Sequence, residues 1–149
     1  MKSADQRINI LIADDDPDDR LLIKECLREA RVCNDIVFVE DGVELMDYLL
    51  KRDKYANRPD DFMPGLILLD LNMPRKDGRE ALKEIRTNPE LRRIPVIALT
   101  TSKEEEDIYR TYDLGVSSYI TKPVSFDEFV QTLSTVTAYW LRIVRIPKS

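Results

Sequence analysis

Histidine is absent from all 149 residues. This excludes His-based acid–base catalysis, His-ligated metals and an internal phosphohistidine. Cysteine is scarce. Cys26 and Cys33 are the only two, and they show no paired ligand spacing; Cys26 falls on an apolar helical stripe and is expected in the core, a usage that fits a reducing cytoplasm. No basic run interrupts a formal charge of −5, which argues against a large nucleic-acid surface. No apolar run approaches the roughly 20 residues of a membrane span, and the opening MKSADQRINI lacks the apolar stretch of a signal peptide. Internal repeats and low-complexity segments are also missing. The expectation is one cytoplasmic domain over residues 1–149, with a core over about 8–140 and an extension over 141–149.

What is present is an alternation of short apolar runs and longer amphipathic stretches. Residues 8–13 (INILIA) read as a buried strand, and Pro17 opens a helix carrying Leu22, Ile23, Cys26, Leu27 and Ala30 at helical spacing. Strands are expected over 35–39, 65–69, 95–99 and 118–121, and helices over 43–51, 78–87 and 103–114. The run at 65–69 is the most apolar and is placed near the sheet centre. Ser125 and Glu128 read as a capping box that starts a long final helix. Five strands alternating with five helices predict a doubly wound α/β fold, with a parallel sheet covered on both faces.

Ligands in such sheets bind beyond the carboxyl ends of the strands. Asp14, Asp15, Asp70, Thr100 and Lys122 all fall at those ends, so residues distant in sequence converge on one edge. Three carboxylates brought to about 4 Å repel by roughly 4 kcal/mol per pair at an effective dielectric near 20. Either one is protonated or a cation neutralises them. Without histidine or clustered cysteine the ligands are all oxygen, which suits Mg²⁺ or Mn²⁺ over Zn²⁺. Asp15 and Asp70 are placed to ligate directly, Asp14 through water, and the backbone carbonyl of Asn72 to contribute. A carboxylate beside a cation, a lysine and a hydroxyl suits phosphoryl transfer, with Asp70 as nucleophile and Lys122 and Thr100 on phosphoryl oxygens. Asp16 and Asp18 read instead as acids at a helix N-terminus.

The segments ILIADDDPDD, LILLDLNMPRKDG, VIALTTS and SYITKPV resemble, in order and spacing, the motifs of the response-regulator receiver family of two-component signalling. The resemblance implies a flavodoxin-like (βα)5 domain with strand order 2-1-3-4-5 and a sensor histidine kinase that donates phosphate to Asp70. It implies that Asp14 and Asp15 are the acidic pair, Thr100 the switch hydroxyl, Lys122 the phosphate-sensing lysine and Tyr119 the switch aromatic. It also implies a cis peptide bond before Pro123. The insert over 52–64, the stretch MPRKDGREALKEIR and the ending AYWLRIVRIP are similar to a narrower group, the stand-alone receivers that partner phytochrome histidine kinases.

Two other segments carry expectations. The 52–64 insert is longer than most connections and is a candidate partner contact. Trp140, Leu141 and Val144 extend the apolar stripe of the final helix past the usual end of such a domain; left in water they form a patch that suits a symmetric homodimer. Two rival functions are weighed. A Mg²⁺-dependent aspartyl-phosphate phosphohydrolase usually needs a general-acid aspartate two residues after its nucleophile, where this chain has Asn72. A phosphorylation-independent dimeric scaffold would keep the site only as a relic.

Overall fold

The computed structural model describes residues 9–32, 35–59 and 63–143. Strands β1 (Asn9–Ala13), β2 (Ile36–Val39), β3 (Pro64–Asp70), β4 (Val96–Thr100) and β5 (Ser118–Thr121) alternate with helices α1 (Pro17–Glu29), α2 (Gly42–Leu50), α3 (Gly78–Thr87), α4 (Glu105–Asp113) and α5 (Phe126–Ala138). All pairings are parallel and the order is β2-β1-β3-β4-β5, with β3 at the centre.

The central strands are apolar on both faces because both are covered. Alternate residues point to opposite sides of a strand. Leu11, Ala13, Ile67, Leu69, Val96 and Ala98 pack with Leu45, Met46 and Leu49 of α2 and Ala81, Leu82 and Ile85 of α3. Ile10, Ile12, Leu66, Leu68, Ile97 and Leu99 pack with Ile23, Cys26 and Leu27 of α1 and Phe129 and Leu133 of α5. Cys26 is therefore a core residue, as its stripe position implies; Cys33 lies outside the described residues, as does Ile8. Helix α4 differs from the others, since Thr111 is its one buried residue.

Strands β3 and β4 end one residue further on than their apolar runs suggest. Asp70 pairs with Leu99 and Thr100 with Thr121, so polar side chains end β3 and β4 inside the ladder, where backbone pairing does not depend on side-chain polarity. Local caps set the helix starts. Asp16 caps α1 ahead of Pro17, and Asp77 forms a reciprocal capping box with Glu80 at α3. Ser125 Oγ accepts from the Glu128 N–H at α5.

Two expectations are corrected, and the insert gains a structural role. The Lys122–Pro123 peptide is trans, as no cis bond occurs among the described residues; the two isomers of a prolyl bond differ by only about 0.5–1 kcal/mol. Where it is described, the insert is anchored to α2. Its 3₁₀ turn Asp53–Tyr55 stacks Tyr55 edge-on against Tyr48, with ring centroids 5.0 Å apart. Arg58 then lies over the Tyr48 ring and donates from Nε to the Tyr48 carbonyl at 2.9 Å, satisfying an open end of α2. Finally, Leu141 is 7% exposed and joins the α1–α5 core, and Trp140 packs against the same cluster. Leu133, Thr137 and Leu141 follow at four-residue steps on one face, so the stripe that docks α5 continues onto the domain through a π-helical turn, Tyr139–Ile143. Val144 lies outside the described residues.

Candidate functional site

The parallel register brings the strand ends level. Ala13 aligns with Leu69, Asp70 with Leu99 and Thr100 with Thr121, so Asp14, Asp70, Thr100 and Lys122 emerge side by side. The Lys122 N–H donates to the Thr100 carbonyl at 2.7 Å, which fixes where the lysine leaves the sheet. Gly78 allows the floor to close beneath Asp70. A Cβ there would stand 2.5 Å from the Asp70 carbonyl oxygen, and the Gly78 N–H donates to the Leu71 carbonyl at 2.9 Å. The β3–α3 loop thus folds straight back against the strand that carries the acid. On its outer side, Arg75 grips Asp41 through two bonds of 2.8 and 3.1 Å and ties that loop to the start of α2.

Asp14 is 1% exposed and Asp70 7% exposed, whereas Asp15 faces water. Asp14 Oδ1 accepts from the Asp16 N–H at 3.0 Å and its Oδ2 accepts from Lys122 Nζ at 3.2 Å. Asp70 Oδ1 accepts from the Asn72 N–H at 3.0 Å, and its Oδ2 lies 3.5 Å from Lys122 Nζ. Asn72 reaches the site through this bond and through its side-chain amide, 3.5 Å from Thr100 Oγ1. Thr100 Oγ1 also accepts from the Ser102 N–H at 3.2 Å.

Burial sets the electrostatics. Desolvation carries Asp14 from 3.8 up to about 6, against the lowering effects of the Asp16 N–H and Lys122. Asp70 is raised for the same leading reason. For Lys122, burial pulls the other way and is outweighed by the Asp19 hydrogen bond and then the charges of Asp70 and Asp14, so its ammonium is held above its ordinary value. Burial makes the charged form of both acids costly, so a cation placed between them would be stabilised. The fit is geometric as well. One carboxylate oxygen from each of Asp14, Asp15 and Asp70 lies within 4.8 Å of the other two. All three donors are oxygens, the set that a hard divalent cation such as Mg²⁺ prefers, and the exposed Asp15 carboxylate can adjust to a bound ion.

The sequence reading missed Asp19, Asp107 and Arg79. Asp19, in the first turn of α1, places Oδ2 2.9 Å from Lys122 Nζ. Asp107 of α4 takes a forked contact from Arg79 of α3, with Nη2–Oδ1 at 2.7 Å. The same Asp107 stands 3.2 Å from the Tyr119 hydroxyl, which also donates to the Ser102 carbonyl at 3.1 Å. Tyr119 is thus clasped by α4 and the β4–α4 loop. Acids near a helix N-terminus are common for their own sake, so Asp19 and Asp107 gave no signal of partners so distant along the chain.

Residues 10–134 match the family model of the response regulator receiver domain. The chain belongs to that family. Response regulator Rcp1 of Synechocystis sp. is 39% identical over 138 residues, covering 93% of this chain and 92% of the relative. The solved structure of the phosphorylated cyanobacterial phytochrome response regulator RcpA superposes with a TM-score of 0.87 at 42% identity, covering 95% of this chain and 99% of that one. The Mn(2+)-bound form of Rcp1 gives 0.86 at 38% identity, with 95% and 99% covered. The receiver fold with strand order 2-1-3-4-5 is thereby established for this chain. No helix among the described residues is long and apolar enough to cross a membrane.

Proposed function

We propose that the protein is a response regulator that accepts a phosphoryl group on Asp70 from the histidine of a partner kinase, in a reaction that requires Mg²⁺. The observation that carries this reading is the meeting of Asp70, 7% exposed, with the cationic Lys122 at 3.5 Å and the Asp14–Asp15 pair at one sheet edge. In the transfer, an Asp70 carboxylate oxygen bonds to phosphorus as the histidine nitrogen–phosphorus bond breaks, and the electron pair of that bond returns to the imidazole. The charge moves onto oxygens that the chain is built to receive. Lys122 Nζ is placed to bond one phosphoryl oxygen. Thr100, whose hydroxyl accepts from Ser102 and Asn72 through its lone pairs, is placed to donate its proton to another. Asp14, Asp15 and Asp70, with the Asn72 carbonyl, are the candidate ligands for Mg²⁺, whose contribution when bound is to neutralise the carboxylates and phosphoryl oxygens.

The switch in this reading is Tyr119. Once Thr100 is drawn to the phosphoryl group, the β4–α4 loop that holds the Tyr119 hydroxyl through Ser102 moves with it, and Tyr119 turns inward. The chain has no histidine, so the donor histidine lies outside these 149 residues, and the reaction is placed in the cytoplasm. The similarity to RcpA favours a phytochrome-type kinase as that donor. Output passes through protein contacts. Self-association belongs to the same reading, through the outer face of the α5 extension, where Tyr139 is half exposed, rather than through Leu141.

The test is labelling by acetyl phosphate or by a phosphorylated kinase domain. Wild type should label in Mg²⁺ and lose the label in EDTA, and Asp70→Asn should not label at all. Equal labelling of wild type and Asp70→Asn defeats the proposal, and steady turnover of a generic phosphomonoester would favour the phosphohydrolase reading instead.

A further inference from the structure

Three carboxylates surround the Lys122 ammonium. Asp14 Oδ2 stands at 3.2 Å, Asp70 Oδ2 at 3.5 Å and Asp19 Oδ2 at 2.9 Å. The closest of the three is the one that a phosphoryl-transfer site does not obviously need. The Lys122 side chain is 11% exposed, so its charge depends on these neighbours rather than on water. Two of them are committed elsewhere during the reaction: Asp14 and Asp70 belong to the triad that can hold a cation, and Asp70 is also the acceptor. Asp19 lies outside that triad. Its position is fixed independently by α1, whose start is set by Pro17 and by the Asp16 carboxylate accepting from the Asp18 N–H at 2.8 Å. The pull of Asp19 is directed toward α1. The Lys122–Asp70 separation of 3.5 Å is longer than the 2.7–3.2 Å of an ordinary hydrogen bond.

We propose that Asp19 is a positioning residue for phosphoryl transfer: it tethers Lys122 to α1, keeps the ammonium from collapsing onto the Asp70 carboxylate, and holds it where a phosphoryl oxygen enters between the two. The proposal rests on the reading of Asp70 as phosphoacceptor. Asp19 touches neither the acceptor nor the phosphoryl group and acts only through Lys122. Without it, Lys122 closes on Asp70, masks the attacking carboxylate and gives up its partner whenever Asp14 and Asp70 turn to a cation.

A double-mutant cycle on labelling by acetyl phosphate, at saturating Mg²⁺ so that a lower metal affinity does not enter, decides the matter. Asp19→Asn should slow labelling about tenfold, the scale on which loss of reactant orientation is felt. In a Lys122→Met background the same substitution should have no further effect, because the residue it acts through is gone. The Lys122 Nζ resonance in ¹⁵N-labelled protein should shift in Asp19→Asn. Labelling of Asp19→Asn at the wild-type rate, or an equal slowing with and without Lys122, overturns the proposal, the latter because Asp19 would then act through the fold of α1. Failure of wild type itself to label would instead overturn the phosphoacceptor reading.

Discussion

Replacing Asp14 with asparagine should stabilise the metal-free protein, although it removes an ion-paired residue from the heart of the site. Asp14 is 1% exposed, and its carboxyl is carried from 3.8 to about 6, chiefly by burial. A tenfold change in proton affinity is worth about 1.4 kcal/mol, so ionising Asp14 in the folded chain opposes folding by about 3 kcal/mol relative to its neutral form. The sign follows from proton binding. Between about pH 4 and pH 6 the folded chain holds more protons at Asp14 than the unfolded chain does, so stability falls as pH rises through that window and stays lowered above it. Asparagine keeps the acceptor for the Asp16 N–H and does not titrate. The difference between Asp14→Asn and wild type should therefore be close to zero below pH 4 and grow to about 3 kcal/mol above pH 6. Urea unfolding in EDTA at a series of pH values measures it. Mg²⁺ should narrow the gap from the wild-type side, since a ligand that binds only the folded state stabilises it by about 2.7 kcal/mol at a hundredfold excess over Kd. A variant no more stable than wild type at pH 7.5 in EDTA would refute the argument that burial, rather than the Lys122 pairing, dominates at Asp14.

Gly78→Ala should cost about 1–3 kcal/mol in urea unfolding, since the new Cβ meets the Asp70 carbonyl oxygen at 2.5 Å; an unchanged midpoint would mean that the loop behind Asp70 is not tightly packed. Leu141→Ala should cost about 2–4 kcal/mol and leave the mass by light scattering unchanged. A drop in mass without loss of stability would return Leu141 to an intermolecular role.

The fold was legible because each strand carries its own signal. Runs such as Leu66 to Leu69 and Val96 to Leu99 are apolar on consecutive residues, which only a sheet covered on both faces requires. The core of the site was legible for a related reason: Asp14, Asp70, Thr100 and Lys122 sit at strand ends, and parallel topology assembles strand ends. What stayed hidden joins elements through side chains of ordinary type. Asp19 and Asp107 read as acids favoured at any helix start, and nothing local says that one meets Lys122 and the other Tyr119. Arg58 lay unremarked in the long insert, because an arginine that finishes another helix leaves no periodic trace. Leu141 had the spacing of a core residue, but the reach of the domain beneath it is a property of the folded sheet.

The unequal attachment of α4 has a mechanical consequence. The other helices are glued by aliphatic side chains, and moving them would open cavities. Helix α4 buries only Thr111 and is fastened at its rim: Asp107 to Arg79, Asp107 to Tyr119, and Tyr112 to the Tyr119 N–H. Fastenings of this kind can be undone and remade with other partners, or with water, at little net free energy. The molecule therefore has a stiff chassis with one bolted panel, and Tyr119 is one of the bolts. On the proposed reading, a phosphoryl group on Asp70 would have only to change which bolts are engaged for the panel to present a different outline to whatever reads it.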